Sequence, residues 1–188
     1  MSEAVSALAG ARFEGAAVVA DTGPRGMITV RGDLSDAKLV KAVTGAAGVA
    51  MPGQREARVE GAKGLLWMSP DELMVLLPYE EAPAAAEKIA KALAGSHHLV
   101  ANVSDARAVF AVTGAAAREV LAKLTPADLH VSAFGPGQVR RSRFAQVAAA
   151  FWMTNETDFE LFCFRSQAVY MFDLLSAAAR KGAGVGYF

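Results

Sequence analysis

The sequence predicts an α+β fold in which a β-α-β-β-α unit occurs twice about a pseudo-two-fold, and three observations lead there. First, the chain echoes itself. Leu65–Leu93 and Ala150–Ala178 each place Trp-Met and a small hydroxyl residue (Trp67-Met68-Ser69 and Trp152-Met153-Thr154) before a polar turn, an apolar strand and a helix. The tryptophans are 85 positions apart (152 − 67), and Met27–Val43 echoes Val109–Thr125 at 82 (109 − 27). Such a period exceeds the roughly 20–50 residues of solenoid repeats, so it points to a pseudo-symmetric globular domain. Second, strand-like runs follow one another without strict β-α-β alternation, which places helices over mixed or antiparallel sheets. Third, each half closes on a stretch with helical spacing of its apolar residues.

In chain order, Met1–Arg12 lacks pattern and reads as a mobile arm. Phe13–Asp21 and Met27–Arg31 read as strands around the breaker Gly23-Pro24. Ser35 is the expected N-cap of a helix to Thr44 that turns Leu39, Val40 and Val43 inward, with Gly45 near its end. Ala46–Lys63, rich in Gly, Pro and charge, is expected to be the longest loop of the first half. Gly64–Met68 and Glu72–Leu77 form a hairpin around Ser69-Pro70-Asp71, where Pro fixes φ and Asp can bond the following amides. Glu80–Ala94 follows as a helix with Ile89 and Leu93 inward.

The second half opens with strands near His98–Val103 and Arg107–Thr113, then a helix over Ala115–Leu124 with Ala117, Val120, Leu121 and Leu124 on one face. Strands are expected near Gln138–Phe144, Val147–Thr154 and Phe159–Phe164. Ser166 then caps a helix burying Val169, Phe172 and Leu175. The expected organisation is an arm (1–12), a first α+β half (13–96), a second (97–181) and a Gly-rich tail (182–188).

The chain has 188 residues, enough for a substantial core, and its 53% of hydrophobic residues includes no run of the ~18 that a membrane helix needs. The first residues lack the basic and apolar regions of a signal peptide, so the expected location is the cytoplasm. One cysteine, Cys163, excludes an intrachain disulfide and a cysteine-based zinc cluster. Nineteen basic residues balance nineteen acidic ones, so no positive field supports nucleic-acid binding. Neutral charge with high apolar content favours life in an assembly and self-association of the isolated chain.

Few residues carry recognisable chemistry. His97 and His98 alternate across a strand start and cannot both hold one metal, and neither they nor His130 have local support for acid–base work. Cys163, between Phe162 and Phe164, reads as a small hydrophobe. Gly32, Gly45, Gly48 and Gly53 make no phosphate-binding fingerprint. Arg140, Arg141 and Arg143 form the dense basic cluster, with Arg141 and Arg143 on one strand face and Arg140 on the other. They are either a solvated edge strand guarded against aggregation or a contact to an acidic partner. Trp67 and Trp152 are either core aromatics packed about the internal axis or a stacking pair for a planar ligand. Tyr187 and Phe188 end a segment of alternating glycines, and they are candidates for docking onto another subunit.

Asn102–His130 carries a resemblance through Val103-Ser104, Val112, Gly114, Ala117, Leu121, Leu124 and Asp128. It is similar to the D-x-S…V-x-G-x-x-A-x-x-x-L-x-x-L…D stretch of the aminomethyltransferase (glycine-cleavage T-protein) superfamily. Gly64–Pro78, Val103–Gly114, Leu124–Val147 and Tyr170–Leu175 together resemble more closely the gamma-subunit family of heterotetrameric sarcosine oxidase. That resemblance implies a T-protein-like fold in a complex demethylating sarcosine to glycine, with hydrogen peroxide and either formaldehyde or 5,10-methylenetetrahydrofolate as products. It implies alpha, beta and delta subunits as partners, with NAD, FAD, FMN, tetrahydrofolate and zinc on those partners and none on this chain.

The T-protein pattern supplies a carboxylate to the folate amine from a Gly-Gly-x-x-Asp-Asp stretch. The matching Ala148–Met153 holds neither those glycines nor an aspartate, and Phe162-Cys163-Phe164 replaces an Asn-bearing strand end. Ala and Phe cannot hold charge near a pterin nitrogen. The expectation is a non-catalytic assembly subunit; the alternative is a stand-alone folate-binding or aminomethyl-transfer protein, with a small-molecule regulatory module as a third option.

Overall fold

The computed structural model describes residues 4–188 and contains two antiparallel sheets and four helices. Of the expected N-terminal arm, residues 1–3 lie outside the described residues. The chain divides into two compact units, one joining the segment up to Pro24 with Asp105–Phe188, the other formed by Arg25–Ser104.

The Arg25–Ser104 unit contains β3 (Gly26–Arg31), α1 (Ala37–Ala47), β4 (Ala57–Glu60), β5 (Lys63–Ser69), β6 (Glu72–Leu77), α2 (Ala82–Ala92) and β7 (Leu99–Asn102), numbered after two N-terminal strands described below. Its sheet order is β4-β5-β6-β3-β7. The core forms where Ile28, Val30, Leu65, Leu73 and Val75 meet Leu39 and Val43 of α1 and Ile89 of α2. The alternate residues Met27, Leu66, Met74 and Leu76 are buried as well, which explains why β5 and β6 read as continuous apolar runs.

Asp36, not Ser35, caps α1, accepting the Lys38 N–H at 2.8 Å. Ser35 instead bonds Asp33 through its N–H and hydroxyl. The expected loop Ala46–Lys63 contains the edge strand β4, pairing Ala57 with Leu66 and Glu60 with Lys63. Four residues interrupted by charge hide that strand in the sequence. The first half thus has three strands between its helices, as the second does, instead of two.

The other unit holds β1 (Arg12–Glu14), β2 (Val18–Asp21), β8 (Arg107–Thr113), α3 (Ala117–Ala122), β9 (Val139–Phe144), β10 (Val147–Met153), β11 (Phe159–Phe164) and α4 (Ala168–Ala178). The expected single strand Phe13–Asp21 is a hairpin, β1 pairing β2. Its turn requires Gly15, because a Cβ there would stand 1.9 Å from the Ala179 carbonyl oxygen, which already accepts the Ala16 N–H. The sheet order is β1-β2-β8-β11-β10-β9. Phe110, Phe151, Phe159 and Leu161 form its helix-facing core with Val120, Leu121, Met171 and Leu175. Phe134 packs edge-on to Phe151 at 5.3 Å and stacks on Phe159 at 6.1 Å.

A 3₁₀ turn, Arg165–Gln167, precedes α4, and no side-chain cap from Ser166 is present. The buried stripe is Ala168, Met171 and Leu175, while Val169 is 62% exposed and Phe172 partly buried. The helix is apolar nearly all round, so spacing alone could not choose its inward face.

Strand exchange sets the unit boundaries. β2 pairs with β8 (Val19 with Val112, Asp21 with Phe110), and β7 pairs with β3 (Thr29 with Ala101). The compact units are therefore not the sequential spans 13–96 and 97–181, because one takes the β1–β2 hairpin from the first stretch and the other takes β7 from the second. The N-terminal segment is also tied down. Leu8 and Gly10 donate their N–H groups to Asp21 Oδ2 at 3.2 Å each, and Arg165 bonds the Val5 carbonyl at 2.7 Å.

Candidate functional site

The stretch matched to the folate-facing segment is β10. Ala149, Phe151 and Met153 enter the helix-facing core, Ala148 is exposed, and Ala150 and Trp152 are buried on the other face. On neighbouring β11, Phe162 and Cys163 are buried and Phe164 is exposed. No carboxylate stands at these positions, so the residues do not fit a group needing a charged partner for a pterin amine. Burial pushes the Cys163 thiol up to about 11, with Arg107 opposing that shift, so it stays a neutral thiol near pH 7 and a poor nucleophile. Arg107 lies over the Phe164 ring at 4.1 Å.

Trp67 and Trp152 do not occupy matching places. Trp67 pairs with Leu73 and shares the helix-facing side with Leu65. Trp152 points away from its own helix-facing core. The core residues Leu65 and Phe151 pair with Val75 and Leu161, so strand positions correspond at 86 (151 − 65), one more than the tryptophan spacing. One residue of slip reverses a side chain's face. Trp67 is half-buried; Trp152 is fully buried, tilted against Phe162 at 6.3 Å, and its indole N–H has no hydrogen-bond partner among the described residues.

A cavity of about 620 Å³ in the Arg25–Ser104 unit is lined by Arg31, Asp33, Asp36, Asp71, His97 and His98 among others. Its carboxylates are already engaged. Ser35 holds Asp33 below the usual carboxylate range, Asp36 caps α1, and Ser69 followed by Arg31 lowers Asp71. His98 Nδ1 lies 2.8 Å from the Ser96 carbonyl. His130 sits apart in the other unit, with Nδ1 2.8 Å from Ser132 Oγ. Among the described residues, no group of three or more His, Cys, Asp or Glu could hold a metal ion.

The arginine cluster lies on β9, an edge strand of its sheet. Arg140 is occupied, donating to the Ala133 carbonyl at 2.8 Å and Gln138 Oε1 at 3.0 Å and standing over Phe134. Arg141 and Arg143 are exposed on the other strand face, so alternation places all three as expected.

Sequence reasoning missed Arg118. It is buried on α3, donating to the Leu129 and Phe134 carbonyls at 2.6 and 2.8 Å and lying over Phe159 at 5.6 Å. It pins the segment between α3 and β9.

The tail folds back on α3. Lys123 Nζ donates to the Ala178 and Ala183 carbonyls at 2.5 and 2.9 Å, and Glu119 Oε1 accepts the N–H groups of Val185 and Gly186. Tyr187 and Phe188 remain exposed and meet edge to face at 4.9 Å.

Among the described residues, no helix is long and apolar enough to cross a membrane. Comparison with known proteins bears on what this arrangement belongs to. The model of the sarcosine oxidase gamma subunit family matches residues 31–181. Sarcosine oxidase subunit gamma of Corynebacterium sp. (strain U-96) is 34% identical over 143 residues, covering 76% of this chain and 68% of the relative. The chain spans 57%, 68% and 47% of the length of three curated sarcosine oxidase gamma subunits that it matches.

A chain of the heterotetrameric sarcosine oxidase from Corynebacterium sp. U-96 superposes with a TM-score of 0.79 at 24% identity, over 89% of this chain and 87% of that one. The glycine cleavage system aminomethyltransferase T from Bartonella henselae superposes at 0.61 and 19%, over 84% of this chain and 44% of that one. The two structures establish a shared fold with the T-protein. With the family match spanning most of the sequence, the chain belongs to the sarcosine oxidase gamma subunit family.

Proposed function

We propose that this chain is a non-catalytic assembly subunit of a heterotetrameric sarcosine oxidase, working in the cytoplasm with alpha, beta and delta subunits. NAD, FAD, FMN, tetrahydrofolate and zinc reside on those partners. The complex demethylates sarcosine oxidatively to glycine, yielding hydrogen peroxide and formaldehyde or 5,10-methylenetetrahydrofolate. The observation that carries this reading is the family match over residues 31–181. The matched positions on β10 and β11 support it: Ala148–Met153 and Phe162-Cys163-Phe164 hold no carboxylate where folate chemistry would need one, so the fold persists without that group.

The fold would descend from a duplicated unit. Support comes from the five-stranded order β4-β5-β6-β3-β7, which matches β9-β10-β11-β8-β2 of the six-stranded sheet, with β1 as an added edge strand. Exposed Arg141 and Arg143, anchored Arg140, and the Tyr187–Phe188 pair are the proposed partner contacts. Expressing the other three subunits with and without this chain tests the reading. Assembly and sarcosine turnover should fall without it; unchanged assembly and turnover would refute the role. Calorimetry with tetrahydrofolate on the purified chain should give no binding heat.

A further inference from the structure

We propose that residues 182–188 form a preshaped docking hook, held by Glu119 and Lys123 of α3, whose aromatic tip seats in an acid-rimmed apolar recess on another subunit of the assembly. This deepens the assembly reading and rests on it. The family match ends at residue 181, so the hook lies beyond the matched segment.

A glycine-rich segment that began as flexible chain would lose much entropy on binding. Here the ordering has already happened inside the subunit. Gly182 and Gly186 have φ of 79° and 68°, backbone that other residues rarely adopt. Glu119 accepts two successive N–H groups, those of Val185 and Gly186, and Lys123 joins the end of α4 to Ala183. Gly184 passes over the same carboxylate, where a Cβ would lie 3.4 Å from Glu119 Oε1. The four bonds engage the charges of Glu119 and Lys123 internally, leaving them little to offer a partner.

What they hold outward is apolar. Val185, Tyr187 and Phe188 are 71%, 73% and 44% exposed, and the last two are already locked in an edge-to-face pair. Paired, rigid aromatics are typical anchors of interfaces. A hollow of about 390 Å³ between them and Ala122, Ala127 and Leu129, with Asp128 and His130 also on its wall, gives a partner's side chain somewhere to enter. Arg180 and Lys181, exposed directly before the hook, form no ion pair among the described residues, which fits an acidic rim on the opposing surface.

The test measures binding of the full-length chain to the co-purified alpha, beta and delta subunits. The double variant Tyr187→Ala/Phe188→Ala should bind at least about tenfold more weakly with unchanged thermal stability. Glu119→Ala should bind roughly threefold to tenfold more weakly because the hook must then order on binding. In the free chain it should also speed amide exchange at Val185 and Gly186. Arg180→Glu/Lys181→Glu should slow association, most at low salt. If the unaltered chain binds and the aromatic variant binds within about twofold of it, the hook is refuted and the assembly reading stands. If the unaltered chain does not bind, both fall. Loss of self-association alone, seen by sedimentation, would make a second copy the occupant and overturn the proposal.

Discussion

Asp158 and Gly114 stand 44 positions apart in sequence, yet the Asp158 carboxylate accepts the Gly114 N–H at 3.1 Å and ties the β10–β11 turn to the turn that opens α3. The same side chain accepts from Asn155 Nδ2 at 2.8 Å and Thr157 Oγ1 at 3.1 Å. The Asn155 bond, with smaller help from Gly114 and Thr157, holds its pKa below the ordinary 3.8 against some desolvation. A carboxyl lowered on folding contributes stability above its unfolded value and loses it as pH falls through the folded one. Asp158→Ala should therefore cost about 1–3 kcal/mol at pH 7. The gap to the unaltered chain should narrow below pH 3.8, measured by urea unfolding across pH.

Arg118→Met keeps the helix position and removes two buried hydrogen bonds, to the Leu129 and Phe134 carbonyls. Two acceptors left without partners predict a loss of about 2–4 kcal/mol. Hydrogen exchange should rise first between Leu129 and Phe134; unchanged protection there would show that the segment is held by other means.

Gly15→Ala places a methyl 1.9 Å from the Ala179 carbonyl oxygen, a backbone atom that cannot swing aside. The hairpin or the end of α4 must move, with an expected cost of about 2–3 kcal/mol in denaturant midpoint measurements. A control at Gly45, where a Cβ would meet nothing within 4 Å, should be neutral or mildly stabilising because that glycine lies inside α1.

Asp21→Ala leaves the N–H groups of Leu8, Gly10 and Gly23 without their acceptor. The segment from Val5 to Gly10 should loosen and become the first site of limited proteolysis, with a global cost near 1–2 kcal/mol. Equal cleavage rates in the two proteins would contradict this.

The Cys163 thiol, buried and pushed up to about 11, should resist a thiol reagent at pH 8 in the folded protein and react fully in denaturant. Rapid labelling under native conditions would contradict the burial.

Much of this architecture was legible because the second half's strands are long and apolar: Val147–Met153 and Phe159–Phe164 lie within a residue of where pattern placed them. β4 was hidden because its pairing depends on β5, not on its own four residues. The β1–β2 turn depends on a neighbour at Ala179 that is distant in sequence. The tryptophan echo misled by one position, since the β5 side of the register passes through a bulge between Trp67 and Ser69. Strand exchange was invisible to local pattern, as pairing partners across some ninety residues leave no periodic trace. For the candidate site, types and alternation located the arginines, but the contacts of Glu119, Lys123 and Arg118 exist only once α3 meets segments far along the chain.

The pairing of β2 with β8 has a kinetic price. A nascent chain emerging from the ribosome presents β2 some ninety residues before β8 exists to receive it, so that strand's edge waits uncovered. Arg25–Ser104 can therefore close early, whereas the other unit stays open until the last strands arrive. Stalled or clipped products would carry the β1–β2 hairpin with one edge unpaired, a ready cause of aggregation during overproduction.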